Sequence, residues 1–176
     1  KLTVQSQYGE GSTFTICLKQ KIVNEPEETA KLNQSYINIP VVNLAGRRVL
    51  IVDDNKLNIK VCNKLLAPYN LNLTSVESGF ECIDKLKAGE IFDLILMDQM
   101  MPGLDGTTTM NKLKEIENFN TPIVVLTADA MEGQKEKYLS SGFDDYISKP
   151  IDKKELSRIL KQFLKKDWQN PFFLRK

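Results

Sequence analysis

Between residues 46 and 165, short apolar runs alternate with longer segments in which apolar residues recur every three or four positions. An apolar run that continues over the length of a strand predicts a strand covered on both faces, which is typical of a parallel sheet. Five candidate strands occur in this region: Val49–Val52, Leu71–Thr74, Leu94–Met97, Ile123–Leu126 and Tyr146–Ile147.

Each candidate strand is followed by a segment with helical periodicity. On the first predicted helix, which Pro68 ends, the residues that share the inward face are Asn58, Val61, Cys62 and Leu65. On the last predicted helix they are Leu156, Ile159, Leu160, Phe163 and Leu164. This alternation predicts an α/β fold, in which right-handed crossovers place helices on both faces of a parallel sheet.

Outside this region the pattern divides the chain into three further segments. Residues 1–20 alternate apolar and polar positions around a glycine-rich turn at Gly9 and Gly11, which predicts a β-hairpin. Because an isolated hairpin is marginally stable in water, we expect it to belong to a larger sheet. Residues 21–45 are predicted to be a linker, whose last part is apolar enough to lie along a neighbouring surface. Residues 166–176 form an aromatic tail that either docks or frays.

Composition and charge narrow the possible functions. The chain has 176 residues, of which 41% are hydrophobic and 27% are charged, and these values are ordinary for a soluble globular protein. The formal net charge of +1 favours neither nucleic acid nor an acidic membrane surface as a partner. No apolar run approaches the ~20 residues of a membrane span, so a cytoplasmic location is expected. The chain has no histidine, which excludes histidine-dependent nucleophiles, and its 3 cysteines predict neither disulfides nor a zinc site.

Polar residues stand where the candidate strands end. Asp53 and Asp54 end the first strand, Asp98 the third, Thr127 the fourth and Lys149 the fifth. These side chains are therefore expected at one edge of the sheet, where open α/β sheets bind ligands. A lone aspartate there would be a turn former, but two carboxylates about 5 Å apart repel by about 3 kcal/mol at an effective dielectric of 20. The cluster therefore predicts a cation, Mg²⁺ by its ligand preferences, and phosphoryl chemistry with an aspartate nucleophile.

Four motifs resemble the receiver domain of two-component response regulators over residues 46–165: VLIVDDN, LILMDQMMPGLDG, PIVVLTADA and GFDDYISKPI. The resemblance implies a flavodoxin-like, doubly wound sheet of five parallel strands in the order 2-1-3-4-5. The first and last motifs are most similar to receivers at the C-terminus of hybrid sensor histidine kinases. The string GEGSTF, from Gly9 to Phe14, resembles the end of the histidine-kinase ATPase domain, so residues 1–20 are interpreted as its last hairpin. The other boxes of that domain are missing, so we expect no kinase active site here.

The resemblance implies roles for the residues at the strand ends. Asp98 is the implied phosphoacceptor, which takes a phosphoryl group from phosphohistidine and passes it onward. Thr127 and Lys149 are implied to bind that group, and the Lys149–Pro150 bond is expected to be cis. The implied Mg²⁺ ligands are Asp54, Asp98, the main-chain carbonyl of Met100 and, largely through water, Asp53.

Further residues are implied to tune the reaction or to bind the partner. Tyr146 corresponds to an aromatic switch position that responds to Thr127, although a half-buried strand tyrosine would fit the same place. Met100 and Asp129 occupy positions that adjust reaction rates. Leu57 and Ile59 flank the inward face of the first helix, where they either dock a partner or pack against neighbouring loops.

The implied partners are a histidine-kinase phosphodonor domain, a histidine-phosphotransfer protein, or both, without nucleic acid and without direct membrane contact. A stand-alone response regulator is the main alternative and would differ only outside residues 46–165. An aspartate-nucleophile phosphatase of the haloacid dehalogenase type needs Asp-x-Asp after its first strand, where this chain has Asp53-Asp54-Asn55. The expected chemistry is self-phosphorylation and dephosphorylation, so whether the fragment is an enzyme stays open. Kinase activity and any membrane anchor would belong to the parent chain.

Overall fold

The computed structural model describes residues 2–9, 11–18, 42–128 and 134–165. They form two units, one within residues 1–38 and the other within residues 39–176. Across these described ranges, no helix combines the length and the apolar character needed to cross a membrane. Most of the predicted linker, the predicted tail and Asp129 lie outside the described residues.

The first unit contains the predicted antiparallel hairpin, formed by β1 (Leu2–Gln7) and β2 (Gly11–Ile16). Its turn includes Gly9, whose φ of 85° is a conformation that favours glycine. In the hairpin Leu2 pairs with Ile16 and Val4 with Phe14, and side chains paired in this way project from the same face. These four side chains are 52% to 69% exposed. The hairpin therefore presents an apolar face that its own residues do not cover.

The second unit is built on five parallel strands. Their bounds are β3 (Arg48–Val52), β4 (Asn72–Val76), β5 (Leu94–Asp98), β6 (Ile123–Thr127) and β7 (Asp145–Ser148). Their order in space is β4-β3-β5-β6-β7, and every pairing is parallel. Counted from the first strand of this unit, the order is 2-1-3-4-5, which confirms the predicted topology.

Helices follow the strands and cover both faces of the sheet. Their bounds are α1 (Lys56–Leu66), α2 (Gly79–Lys87), α3 (Gly106–Lys114), α4 (Gln134–Ser141) and α5 (Lys153–Leu164). Four of the helices begin at side chains that accept hydrogen bonds from main-chain N–H groups of the first turn. These capping residues are Asn55, Ser78, Asp105 and Asp152. Helix α3 ends at Lys114, and Glu115 is its C-cap.

Successive residues of the central strands enter different hydrophobic clusters on the two faces of the sheet. In β3, Leu50 and Val52 belong to one cluster, whereas Val49 and Ile51 belong to the other. The first, the α2–α4 cluster, receives helix side chains that include Cys82, Met110 and Tyr138. The second, the α1–α5 cluster, receives helix side chains that include Cys62, Leu66 and Leu160. Burial on both faces explains why the strands are unbroken apolar runs.

Helix α1 meets the sheet with a face that differs from the predicted one. Cys62 and Leu66 are buried, and Asn58 and Leu65 are half-buried, but Val61 is 47% exposed. The prediction that Val61 faces inward is therefore wrong. Leu66 completes the buried stripe. The helix is therefore rotated about its axis relative to the predicted orientation, and Val61 faces outward.

The second unit includes the end of the predicted linker. Leu44 is 5% exposed, and its N–H donates a hydrogen bond of 2.9 Å to the Tyr69 carbonyl. Val42 packs against the α1–α5 cluster. Residues 42–45 therefore lie along this unit, as the apolar character of the last part of the linker indicated.

Helix α3 begins against the main chain that carries Asp98. A Cβ atom at Gly106 would lie 2.5 Å from the Asp98 carbonyl oxygen. We expect Gly106→Ala to lower the free energy of unfolding by about 1–3 kcal/mol, because the backbone would have to shift. Urea unfolding followed by circular dichroism measures this change. The control is Thr108→Ala, an exposed position of the same helix, which should stay within about 0.5 kcal/mol of wild type; equal stability of the two variants would contradict the prediction.

Candidate functional site

Carboxylates gather at the carboxyl ends of β3 and β5. Asp53 and Asp54 follow β3, and Asp98 is the last residue of β5. One carboxylate oxygen from each of the three lies within 4.8 Å of the others. Asp53 is fully buried and Asp98 is 6% exposed, whereas Asp54 is exposed. The structure thus brings together the three aspartates that the strand ends predicted.

Lys149 lies between the two buried carboxylates. Its Nζ is 2.7 Å from Asp53 Oδ2 and 2.9 Å from Asp98 Oδ1. It directly follows β7, and the Lys149–Pro150 bond is cis, as predicted. Burial alone would lower the pKa of Lys149, but the hydrogen bonds and charges of the two aspartates reverse this effect and raise the pKa above its ordinary value. Lys149 is therefore held as a cation at neutral pH.

The ionised form of the Asp98 carboxylate is disfavoured relative to that of an exposed aspartate. Burial raises the pKa of Asp98 above its ordinary value, and the Asp53 charge adds to this. Lys149 and a hydrogen bond from the Met100 main chain act in the opposite direction and offset only part of the effect. The repulsion expected among clustered carboxylates is thus incompletely neutralised.

Asp53 accepts hydrogen bonds on both of its oxygens. Oδ1 accepts from the Asn55 N–H at 2.9 Å and from Asn58 Nδ2 at 3.0 Å, and Oδ2 accepts from Lys149. The sequence placed Asn58 on the inward face of α1 but did not connect it with the site. The available signal was a polar side chain within an apolar stripe, since such a group needs a buried partner.

The loop after Asp98 is anchored at both ends. The Gly106 N–H donates a hydrogen bond of 3.0 Å to the Gln99 carbonyl, and the Met101 side chain is 7% exposed. Between these anchors, the Met100 side chain is 75% exposed. The main chain beside Asp98 is therefore held in place while the Met100 side chain faces solvent.

Thr127 and Tyr146 lie on the neighbouring strands β6 and β7. Thr127 ends β6 and is 2% exposed, and its Oγ1 is 2.9 Å from the Tyr138 hydroxyl of α4. Tyr146 is half-buried on β7 against the α2–α4 cluster, and Lys135 Nζ lies 5.7 Å from its ring centroid. The sequence did not predict the contact of Tyr138 with Thr127, because a single tyrosine on a helix does not identify its hydrogen-bond partner.

The two predicted docking residues differ in exposure. Leu57 is 66% exposed, whereas Ile59 is half-buried and packs against the α1–α5 cluster. Leu57 and Val61 are four residues apart on α1 and therefore share one side of the helix. They form an exposed apolar stripe on the helix that directly follows Asp53 and Asp54.

The side chains of the cluster suit a hard divalent cation. Three carboxylates and one ammonium group leave a net charge of −2 when all are ionised (−3 + 1). Carboxylate oxygens are preferred ligands of Mg²⁺, and the exposed Asp54 leaves the cluster open to solvent on one side. The residues present therefore fit a magnesium site.

Comparison with known proteins agrees with this arrangement. Residues 49–161 match the family described as response regulator receiver domain. The chain belongs to this family. The receiver domain and its N-terminal extension are 32% identical to the autoinducer 2 sensor kinase/phosphatase LuxQ of Vibrio vulnificus over 96% of this chain. The chain spans only 19% of the length of that relative.

Two solved structures resemble this receiver domain in fold and sequence. The receiver domain of the sensor histidine kinase PA1611 from Pseudomonas aeruginosa is 35% identical, with a TM-score of 0.61 over 68% of this chain and 98% of that chain, and holds magnesium in its active site cleft. The receiver domain of Ssk1 from Saccharomyces cerevisiae, solved with the histidine phosphotransfer protein Ypd1, is 26% identical, with a TM-score of 0.60 over 67% and 88%. The chain is thus a phosphoryl-accepting receiver domain of the two-component type.

Asp98→Asn should raise the free energy of unfolding of the metal-free protein at pH 7 by about 1 kcal/mol, because the buried ionised carboxylate is removed. Folding raises the pKa of Asp98. The stability linked to its proton is therefore fully present below the unfolded pKa and is lost as pH rises through the folded pKa. The difference in the free energy of unfolding between Asp98→Asn and wild type should consequently become smaller as the pH falls towards about 4.

Urea unfolding in the presence of a chelator, at neutral and at acidic pH, measures this difference. The control is Asp84→Asn, which changes an exposed aspartate on α2 and should have little effect at either pH. An Asp98→Asn variant that is less stable than wild type at pH 7 would contradict the prediction.

Proposed function

We propose that the chain is the receiver segment of a hybrid sensor histidine kinase, in which Asp98 accepts a phosphoryl group from phosphohistidine and passes it onward. The position of Asp98 carries the proposed acceptor role. Its carboxylate ends a central strand, is 6% exposed, and lies 2.9 Å from Lys149 Nζ. No other described carboxylate combines a strand end, partial access and a lysine in contact with two aspartates.

The proposed chemistry is an in-line transfer between two nucleophiles. An Asp98 carboxylate oxygen forms a bond to phosphorus while the bond from phosphorus to the imidazole nitrogen breaks, and the electron pair of that bond leaves with the imidazole. Lys149, which already contacts Asp98, is placed to bind a phosphoryl oxygen, and the Thr127 hydroxyl can donate a hydrogen bond to another. Lys149 can do this without leaving Asp53, since its ammonium group has three donors.

Asp54, Asp98 and the main-chain carbonyl of Met100 would hold Mg²⁺ directly. Asp53 would act through water, because both of its oxygens already accept hydrogen bonds from this chain. When bound, the ion neutralises charge on the carboxylates and on the transferred group. The magnesium in the PA1611 receiver domain, which is 35% identical, supports this assignment.

The hybrid kinase origin rests on the N-terminal extension. The alignment with LuxQ covers 96% of this chain and so extends beyond the family match at residues 49–161. The hairpin of residues 1–20 carries an apolar face that is 52% to 69% exposed, which suits a piece of a larger ATPase-domain sheet. The proposed organisation is a hairpin at 1–20, a linker at 21–45, a receiver at 46–165 and a tail at 166–176. A stand-alone regulator would need no such hairpin.

Phosphorylation is proposed to shift an equilibrium between two arrangements of Thr127, Tyr146 and the segment from Ala128 to Gly142, which includes α4. A change from 1:99 to 99:1 requires about 5.5 kcal/mol of differential interaction. Charge-assisted hydrogen bonds contribute roughly 1.5–3 kcal/mol each, so phosphoryl contacts with Lys149, Thr127 and the metal are sufficient in number. Met100 and Asp129 remain predicted to adjust the rates of the reaction.

Incubation with acetyl phosphate and Mg²⁺ should add one phosphoryl group to the chain, as seen by intact mass spectrometry. Asp98→Asn should abolish the addition, because the nucleophilic oxygen is lost. The control Asp105→Asn changes a carboxylate of the same loop but retains its capping of α3, and it should be labelled like wild type. Labelling that survives in Asp98→Asn would refute the acceptor assignment.

We propose a histidine-phosphotransfer protein or kinase phosphodonor domain as the partner and the α1 stripe as part of its docking surface. The Ssk1 receiver domain, 26% identical, was solved with such a phosphotransfer protein. Leu57→Ala should slow phosphotransfer from a cognate partner about 5-fold, because an apolar contact is lost, and should leave acetyl phosphate labelling unchanged. Ile59→Ala should slow phosphotransfer as well, and in addition it should lower the free energy of unfolding, since Ile59 is half-buried.

The control for the docking experiment is Ile91→Ala. Ile91 is 74% exposed and precedes β5, so it lies at the edge of the sheet opposite Asp98. Phosphotransfer rates that are the same in Leu57→Ala and Ile91→Ala would argue against docking through α1.

A further inference from the structure

Tyr138 of α4 places its hydroxyl against Thr127. The two side-chain oxygens are 2.9 Å apart in a buried hydrogen bond, and Tyr138 and Thr127 are 8% and 2% exposed. Water therefore competes weakly for this bond. Since Thr127 is proposed to bind the phosphoryl group, the bond joins α4 directly to the reacting centre.

Contacts other than the hydroxyl also hold the Tyr138 ring. It meets Phe143 edge to face, with centroids 6.1 Å apart and planes at 79°, and both rings belong to the α2–α4 cluster. Edge-to-face contacts of this kind stabilise an aromatic pair without any polar group. Removal of the hydroxyl alone should therefore leave the ring where it is.

The hydroxyl bond and a phosphoryl contact place different demands on Thr127. Thr127 ends β6 one residue after Leu126, which pairs with Asp98 on β5, whereas Tyr138 approaches from a helix on one face of the sheet. Whichever hydroxyl is the donor, two oxygens more than ~3.5 Å apart are no longer hydrogen-bonded. A Thr127 side chain that turns to a phosphoryl group on Asp98 must leave Tyr138 or move α4 with it.

We propose that Tyr138 is a positioning residue: its hydroxyl holds Thr127 in the unphosphorylated receiver domain, and release of this bond transmits phosphorylation to α4. The inference rests on the proposed function, in which Asp98 is the acceptor and Thr127 binds the phosphoryl group. It is separate from the coupling of Thr127 to Tyr146 on β7, because it requires a hydroxyl on α4.

A buried tyrosine hydroxyl also needs a partner for stability alone. If the Tyr138 hydroxyl only stabilises the fold, its removal destabilises the unphosphorylated and phosphorylated forms equally, and the equilibrium between them stays the same. A positioning residue stabilises only the unphosphorylated form, so its removal shifts the balance. The deciding measurement is therefore the affinity for a phosphoryl analogue.

The test uses the 176-residue chain and its Tyr138→Phe variant. Beryllofluoride with Mg²⁺, an analogue of a phosphorylated carboxylate, is titrated while NMR follows the amide resonances of α4. Tyr138→Phe should lower the apparent dissociation constant for beryllofluoride about 2- to 10-fold, because the unbound state loses the stabilisation of one hydrogen bond. The control Tyr69→Phe changes a tyrosine that is 6% exposed in the α1–α5 cluster and should bind like wild type.

Thr127→Ala provides the second comparison. Because it removes the partner of Tyr138, adding Tyr138→Phe to it should have no further effect. An unchanged dissociation constant in Tyr138→Phe, or an equal change in the Thr127→Ala background, overturns the inference. A Tyr138 ring resonance of the wild-type chain that does not move on titration also overturns it, and this result does not depend on any variant.

The two levels of the proposal fail in different ways. A wild-type chain that neither binds beryllofluoride nor is phosphorylated on Asp98 overturns the proposed function and this inference together. Normal binding by wild type, with Tyr138→Phe indistinguishable from it, overturns only the role of Tyr138.

Discussion

One ammonium group between two buried carboxylates governs the carboxyl edge of this sheet. Lys149 follows β7, Asp53 follows β3 and Asp98 ends β5, so the two ion pairs connect three strands. Buried charges are tolerated when they are paired and hydrogen-bonded, and the loss of one partner leaves the other uncompensated. The arrangement here is only partly compensated, because three carboxylates face one lysine. The site therefore gains stability from added positive charge.

Much of the fold could be predicted from the sequence because it depends on short-range patterns. The strands are unbroken apolar runs because their successive residues point alternately into the two hydrophobic clusters, so that both faces are buried. The polar residues at the strand ends reflect the fact that parallel strands terminate on the same side. Asp53, Asp98 and Lys149 could thus be expected near one another, and the structure places Lys149 Nζ 2.7 Å from Asp53 Oδ2 and 2.9 Å from Asp98 Oδ1.

The features that the sequence did not reveal depend on how helices rotate against the sheet. Val61 and Leu66 are both apolar and both lie near the inward arc of α1, and only the tertiary packing decides which is buried. The Tyr138–Thr127 bond likewise depends on the rotation of α4, since it joins residues 11 positions apart in different elements. Asn58 was an intermediate case, because a polar residue in an apolar stripe indicates a buried partner but does not identify it.

The two hydrophobic clusters pack against different helices on opposite faces of the sheet. The α2–α4 cluster contains Tyr138 and contacts Tyr146, whereas the helix with the exposed Leu57 stripe packs into the α1–α5 cluster. The sheet separates them, so a substitution on one face meets few side chains of the other. The docking surface proposed on α1 and the switch proposed around Tyr146 can consequently change independently of each other. An exchange of the exposed α1 surface should therefore leave the packing around Tyr138 and Tyr146 largely undisturbed.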